Sequence, residues 1–158
     1  MKHLQRNIFA ATFLLMSTCS GAQAQRPSEI VKWSANVTGS TPKTVSATLT
    51  ATIQDGWHVY AISQPSGGPT PLKISTPADS SYSLERPVAE TTVVRHFDPN
   101  FNMETIYYLK TASFTLPMKG PGAAANDTVP IDVRFQACSD RLCLPPYTTH
   151  LSASLKRR

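Results

Sequence analysis

Three cysteines occur in the 158 residues: Cys19, Cys138 and Cys143. The last two have only Ser139-Asp140-Arg141-Leu142 between them and are followed by Leu144-Pro145-Pro146. At that spacing two thiols can pair, but the bridge closes only a tight turn. By chain entropy a loop of about six residues stabilises by roughly 2 kcal/mol, against about 4.7 kcal/mol for a loop of about 100. So short a staple adds little to a domain of this size. Two chemistries therefore stay open from these residues alone: a structural bridge, or an accessible, labile bridge that exchanges with a partner's thiols. Exchange of that kind requires no metal and no organic cofactor. Arg141 inside the loop favours a thiolate and Asp140 beside it opposes one, so no strong activation of either thiol is expected.

Whether the pair can oxidise depends on the compartment. Lys2, His3 and Arg6 precede an apolar run, Ile8 to Met16, which is followed by Ala22-Gln23-Ala24. This is the layout of a secretory signal peptide over residues 1–24, cleaved after Ala24, with a mature domain at 25–158. The apolar run is far short of the roughly 20 residues that span a bilayer, and no second long run follows. The expected product is exported, periplasmic and soluble, in a setting that permits disulfides. A competing reading takes Cys19 as a lipid-attachment cysteine, although Thr18 is a poor residue to precede one. Cleavage after Ala24 removes Lys2 and Arg6, leaving 13 basic against 10 acidic residues, and Lys156, Arg157 and Arg158 account for the whole excess. The folded body is thus neutral and has no basic stripe for a phosphate backbone, which excludes nucleic acid as an expected partner.

The elements that must carry the cysteines read as strands. Val45, Ala47, Leu49, Ala51 and Ile53 alternate with hydroxyl residues; Val129, Ile131, Val133 and Phe135 alternate with Pro130, Asp132 and Arg134. A period of two places each apolar set on one face of a half-buried strand. Similar runs occur at Val31–Val37, Trp57–Ile62, Leu72–Ser75, Glu90–Val94, Thr105–Met118 and Tyr147–Leu155. Thr41-Pro42, Asp55-Gly56, Gly67-Gly68-Pro69, Thr76-Pro77, Asp98-Pro99 and Gly120-Pro121-Gly122 mark the turns between them. Thirteen prolines leave no room for an amphipathic helix outside the leader. Seven to nine short strands with such punctuation predict an all-β, immunoglobulin-like antiparallel sandwich of two packed sheets.

Three blocks, in order along the chain, resemble a known family. They are Asp55-Gly56-Trp57-His58-Val59-Tyr60, His96-Phe97-Asp98-Pro99-Asn100-Phe101, and Phe135-Gln136-Ala137-Cys138 through Cys143-Leu144-Pro145-Pro146. Together they resemble the N-terminal periplasmic domain of the thiol:disulfide interchange protein DsbD, over essentially the whole mature chain. The resemblance implies an immunoglobulin-like fold whose disulfide takes electrons from a thioredoxin-like donor domain and passes them to exported disulfide-containing substrate proteins. It implies that Cys143 forms the mixed disulfide and Cys138 resolves it, and that Phe101 caps the pair until a partner displaces its loop. His58 and Tyr60 fall where aromatic residues flank the cysteines in that family. The sequence contains neither a transmembrane electron carrier nor a thioredoxin-like domain, so electrons are expected from another polypeptide.

On their own residue types these positions also have plainer readings. His58, a strand histidine beside Trp57, reads first as a packed side chain and second as a proton carrier. Asp98 reads first as an Asx turn before Pro99 and second as a group near the sulfurs. Two other function classes stand beside the relay. One is an exported binding module with a structural bridge. The other is a Cu(I) site built from Cys138, Cys143 and a histidine or Met103, for which no established ligand spacing is present. Phosphate-binding loops, His-Glu-x-x-His helices and Gly-x-Ser-x-Gly elbows are absent from the sequence.

Overall fold

The alternation at Val45–Ile53 is realised as a strand with one buried face, in a computed structural model that describes residues 25–86, 88–121 and 128–155. The expected leader, Cys19 and the basic tail lie outside those residues. In chain order the elements are α1 (Pro27–Ile30), β1 (Val31–Ser40), β2 (Thr44–Ile53), β3 (His58–Tyr60), β4 (Lys73–Ser75), β5 (Ser83–Leu84) and β6 (Ala89–Glu90). There follow β7 (Val94–Asp98), β8 (Met103–Leu109), β9 (Thr111–Lys119), β10 (Thr128–Phe135), β11 (Ala137–Cys138) and β12 (Tyr147–Ser154). Every strand pairing is antiparallel.

The strands form a sheet of order β1-β2-β9-β5 with β6 also on β9, a sheet β12-β10-β4, and a sheet β11-β3-β8-β7. Trp33 of β1 meets both Phe114 of β9 and Phe135 of β10, at ring separations of 6.1 and 5.6 Å, so the first sheet packs face to face on the second. Tyr108 of β8 stands edge-on to Phe114 at 5.3 Å and joins the third sheet to the same core. The expected immunoglobulin-like sandwich is present, with one layer divided into two hydrogen-bonded sheets. Gln136 alone separates β10 from β11 and so connects those two sheets.

Several boundaries differ from the sequence expectation. The stretch from Thr105 to Met118 is two strands, because Lys110 takes a left-handed conformation (φ 58°) and turns the chain from the third sheet into the first. Its carbonyl accepts the Ile53 N–H at 2.7 Å, which fixes the corner. The run from Glu90 to Val94 is likewise the end of β6 and the start of β7, in different sheets. A single helical turn, α1, precedes β1; Pro27 supplies its first φ and needs no N–H there.

Gly120 is required by close packing: a Cβ there would lie 2.2 Å from Cδ1 of the buried Tyr82 ring. Gly120→Ala should therefore cost about 1–3 kcal/mol by overpacking, read as a lowered urea midpoint with an unchanged m-value.

Candidate functional site

β11 is only two residues long, and its place is fixed by pairing Ala137 with Val59 and Cys138 with His58 on β3. The chain then reverses: the Ser139 N–H donates to the Leu142 carbonyl at 2.9 Å, and the N–H groups of Arg141 and Leu142 both reach Ser139 Oγ at 3.3 Å. Cys143 thereby returns opposite Cys138, and the two sulfurs are bonded. The returning segment is anchored by Leu144 N–H to Ala137 O at 2.9 Å and by Gln136 Nε2 to Leu144 O at 3.3 Å. Pro145 and Pro146, which lack N–H groups, prevent the pairing from continuing. The two cysteines differ in access: Cys138 is 0% exposed, whereas Cys143 is partly exposed.

β3 and the β7–β8 hairpin enclose the bridge. Residues two apart on a strand share a face, so His58 and Tyr60 both lie on the face that Cys138 joins by cross-strand pairing. Tyr60, fully buried, donates its hydroxyl to Asp98 Oδ2 at 2.5 Å, and the Tyr60 hydroxyl oxygen lies 3.9 Å from Cys143 Sγ. Burial first, then the hydrogen bond to Asp98 and its charge, hold the Tyr60 phenol protonated well above its ordinary range. Its one proton is therefore committed to Asp98, and its lone pairs face the sulfur.

Asp98 is 3% exposed and fills both of the roles considered for it. Oδ1 accepts the Asn100 N–H at 2.8 Å, which is the Asx turn, while Oδ2 accepts from Tyr60 and from Thr105 Oγ1 at 3.5 Å. Burial pushes this carboxyl up, but Tyr60, Asn100 and the nearby His58 outweigh it and hold the group below its ordinary value. His58, 7% exposed, packs against Tyr107 at 4.5 Å and Tyr60 at 5.1 Å. Burial draws its imidazole below 6.5 against the opposing pull of Asp98 and Asp140.

The loop between β7 and β8 closes over this cluster. The Phe101 N–H turns back to the Asp98 carbonyl at 3.2 Å, Asn102 takes φ 53°, and the Phe101 ring stands edge-on to Tyr60 at 5.7 Å. Asn100 Nδ2 reaches the Ser139 carbonyl at 3.1 Å and ties the loop to the cysteine turn. All six predicted site residues, Cys138, Cys143, Phe101, Asp98, His58 and Tyr60, thus belong to one cluster. Arg141 and Asp140 are exposed. Sequence reasoning missed Asn100, Ser139 and Tyr107. Asn100 lies inside the His96–Phe101 segment, but a loop asparagine carries no sign of a contact across 39 residues, and Tyr107 required the register of β3 on β8.

Among the described residues, no group of three or more His, Cys, Asp or Glu could hold a metal ion, and no helix is long and apolar enough to cross a membrane.

Against known proteins, the family described as "Thiol:disulfide interchange protein DsbD, N-terminal" matches residues 22–155. The chain belongs to this family. It is therefore a thiol–disulfide interchange domain of the DsbD N-terminal type, and Cys138–Cys143 is the disulfide it carries. Solved structures share the fold. The reduced N-terminal domain of DsbD from Neisseria meningitidis aligns with a TM-score of 0.56 at 17% identity, covering 84% of this chain and 91% of that one. The N-terminal periplasmic domain of ScsB from Proteus mirabilis aligns with a TM-score of 0.60 at 16% identity, covering 83% of this chain and 49% of that one. No curated protein matches significantly.

Proposed function

We propose that residues 25–158 form a periplasmic relay domain that accepts electrons at Cys138–Cys143 from a thioredoxin-like donor and delivers them to exported proteins with disulfides. The observation that carries this reading is the asymmetry of the bridge: one sulfur is buried against β3, and the other is partly exposed under a loop that only a few hydrogen bonds and one ring hold down. Cys143 is the sulfur that the donor's thiolate attacks, with Cys138 as the leaving sulfur; when reduced Cys143 then attacks a substrate's disulfide, Cys138 resolves that second mixed disulfide. Phe101 shields the pair from small thiols, and a partner that displaces the β7–β8 loop gains access. The domain is exported by residues 1–24 and acts as a soluble protein without cofactor.

The test is the redox equilibrium of the purified mature domain in glutathione buffers, read by thiol alkylation. A midpoint within roughly −180 to −270 mV, the span of disulfide-exchange proteins, is expected. A midpoint below about −300 mV, where structural bridges lie, would leave a binding module with an inert staple.

A further inference from the structure

His58 has a feature that its packing does not explain. Its side chain is 9% exposed, and Nε2 has no hydrogen-bond partner among the described residues. The nearest carboxylate oxygen, Asp98 Oδ2, lies 3.7 Å away, beyond hydrogen-bond reach and already engaged by Tyr60 and Thr105. A buried polar atom without a partner is costly and calls for an explanation. Directly across the ladder from His58 stands Cys138, whose Cβ is about 4.5–5.5 Å from that of His58 in such a pair and on the same face. In the bridged form the Cys138 sulfur carries no proton and no charge, and so offers Nε2 little. Once the bridge opens, the same sulfur becomes a thiolate or thiol, a good partner for an imidazole nitrogen.

We propose that His58 is a redox-tuning residue whose Nε2 is left unpartnered in the disulfide form and hydrogen-bonds the Cys138 sulfur in the reduced form, favouring the dithiol. This rests on the exchange reading above. A thiolate of the donor's dithiol attacks Cys143 Sγ, the Cys138–Cys143 bond breaks, and its electron pair leaves on Cys138 Sγ, where the Nε2–H donates to the new thiolate. The donor's second thiolate then attacks the donor sulfur of the mixed disulfide and expels Cys143 as thiolate. The donor ends as a disulfide, the Cys143 thiolate takes a proton from solvent, and the buried Cys138 thiolate keeps its hydrogen bond from Nε2–H. The groups that face the imidazole are Tyr60 on its own strand, Tyr107 on β8, Asp98 at the end of β7, Asp140 in the turn and Cys138 on β11. Tyr60 cannot take this part, since its proton is held by Asp98.

The experiment compares wild type, His58→Phe and His58→Gln in glutathione buffers and follows the imidazole nitrogens of 15N-labelled wild type in both redox states. His58→Phe should shift the equilibrium constant about tenfold toward the disulfide, which is about 30 mV for a two-electron couple. His58→Gln, which retains an N–H donor, should recover most of that shift, and the Nε2 resonance of the wild type should move on reduction. An unchanged equilibrium constant in His58→Phe, with the wild type in the exchange range, overturns the role of His58 and leaves the relay standing. An Nε2 resonance indifferent to reduction overturns it as well, and decides alone if the phenylalanine variant does not fold. A wild-type midpoint in the range of structural bridges instead defeats the exchange reading on which the proposal rests.

Discussion

A Cys138→Ser variant should accumulate a mixed disulfide with a thioredoxin-like partner through Cys143, whereas Cys143→Ser should accumulate very little. The reason is access. With Cys138 replaced, the surviving thiol is the partly exposed one, and this domain keeps no second sulfur to resolve the adduct. With Cys143 replaced, the surviving thiol is fully buried and a partner reaches it only after local opening. Even an opening that costs only about 1.4 kcal/mol lowers the yield about tenfold. Incubation of each variant with a thioredoxin-like protein that lacks its own resolving cysteine and carries the other as a mixed disulfide with thionitrobenzoate, followed by non-reducing electrophoresis, reads the ratio. Equal trapping by both variants, or trapping through Cys138 alone, would reverse the assignment of attacked and resolving sulfurs.

Asp98→Ala should be the most damaging single change at the site. It leaves the hydroxyl of a fully buried tyrosine and the Asn100 N–H without their acceptor, and it frees the loop that carries Phe101. Hydrogen bonds to a charged group contribute about 1.5–3 kcal/mol each and are not additive here, so a loss of about 2–4 kcal/mol is expected. In urea that lowers the midpoint by about 1–2 M. The pH dependence has a definite sign. The carboxyl is held below its ordinary 3.8 in the fold, so its contribution is complete above that value and disappears as pH falls through the lower folded value. The Asp98 contribution should thus shrink below about pH 4, whereas between neutrality and about pH 5 the gap between wild type and Asp98→Ala should widen, because the variant loses the carboxylate that supports the His58 imidazolium. A gap that does not shrink below about pH 4 would refute the assignment of Asp98 as an ionised acceptor. Asp98→Asn, which retains an oxygen for the Asn100 N–H, should fall between the two.

Much of the sandwich was legible because its signals are local. The alternation over Val45–Ile53 and Val129–Phe135 needs only neighbouring residues to be read, and Asp55-Gly56 announces its turn through a glycine that does take φ 81°. What could not be read is where continuous patterns change sheets. Lys110 has no chemical bias toward a left-handed conformation, so the corner between β8 and β9 follows from tertiary packing alone. The cysteine spacing made the pair visible but left a structural bridge the plainer of its two chemistries, and the family resemblance brought the remaining site residues to notice. Their arrangement depends on register: β11 on β3 sets His58 opposite Cys138, and β3 on β8 brings Tyr107 onto the imidazole. The Tyr60–Asp98 bond spans 38 residues, a distance at which sequence pattern carries no information.

The tie between the β7–β8 loop and the cysteine turn is chemically lopsided. Asn100 contributes a side-chain amide, whereas position 139 contributes its backbone carbonyl, which every amino acid possesses. Replacing Ser139 can therefore reshape the turn through its lost hydroxyl but leaves the carbonyl that Asn100 grips in place; replacing Asn100 by any residue without a side-chain donor abolishes the tie outright. A library that randomises both positions should reveal this inequality as tolerance at one site and a narrow choice at the other, even though the two residues share a single contact.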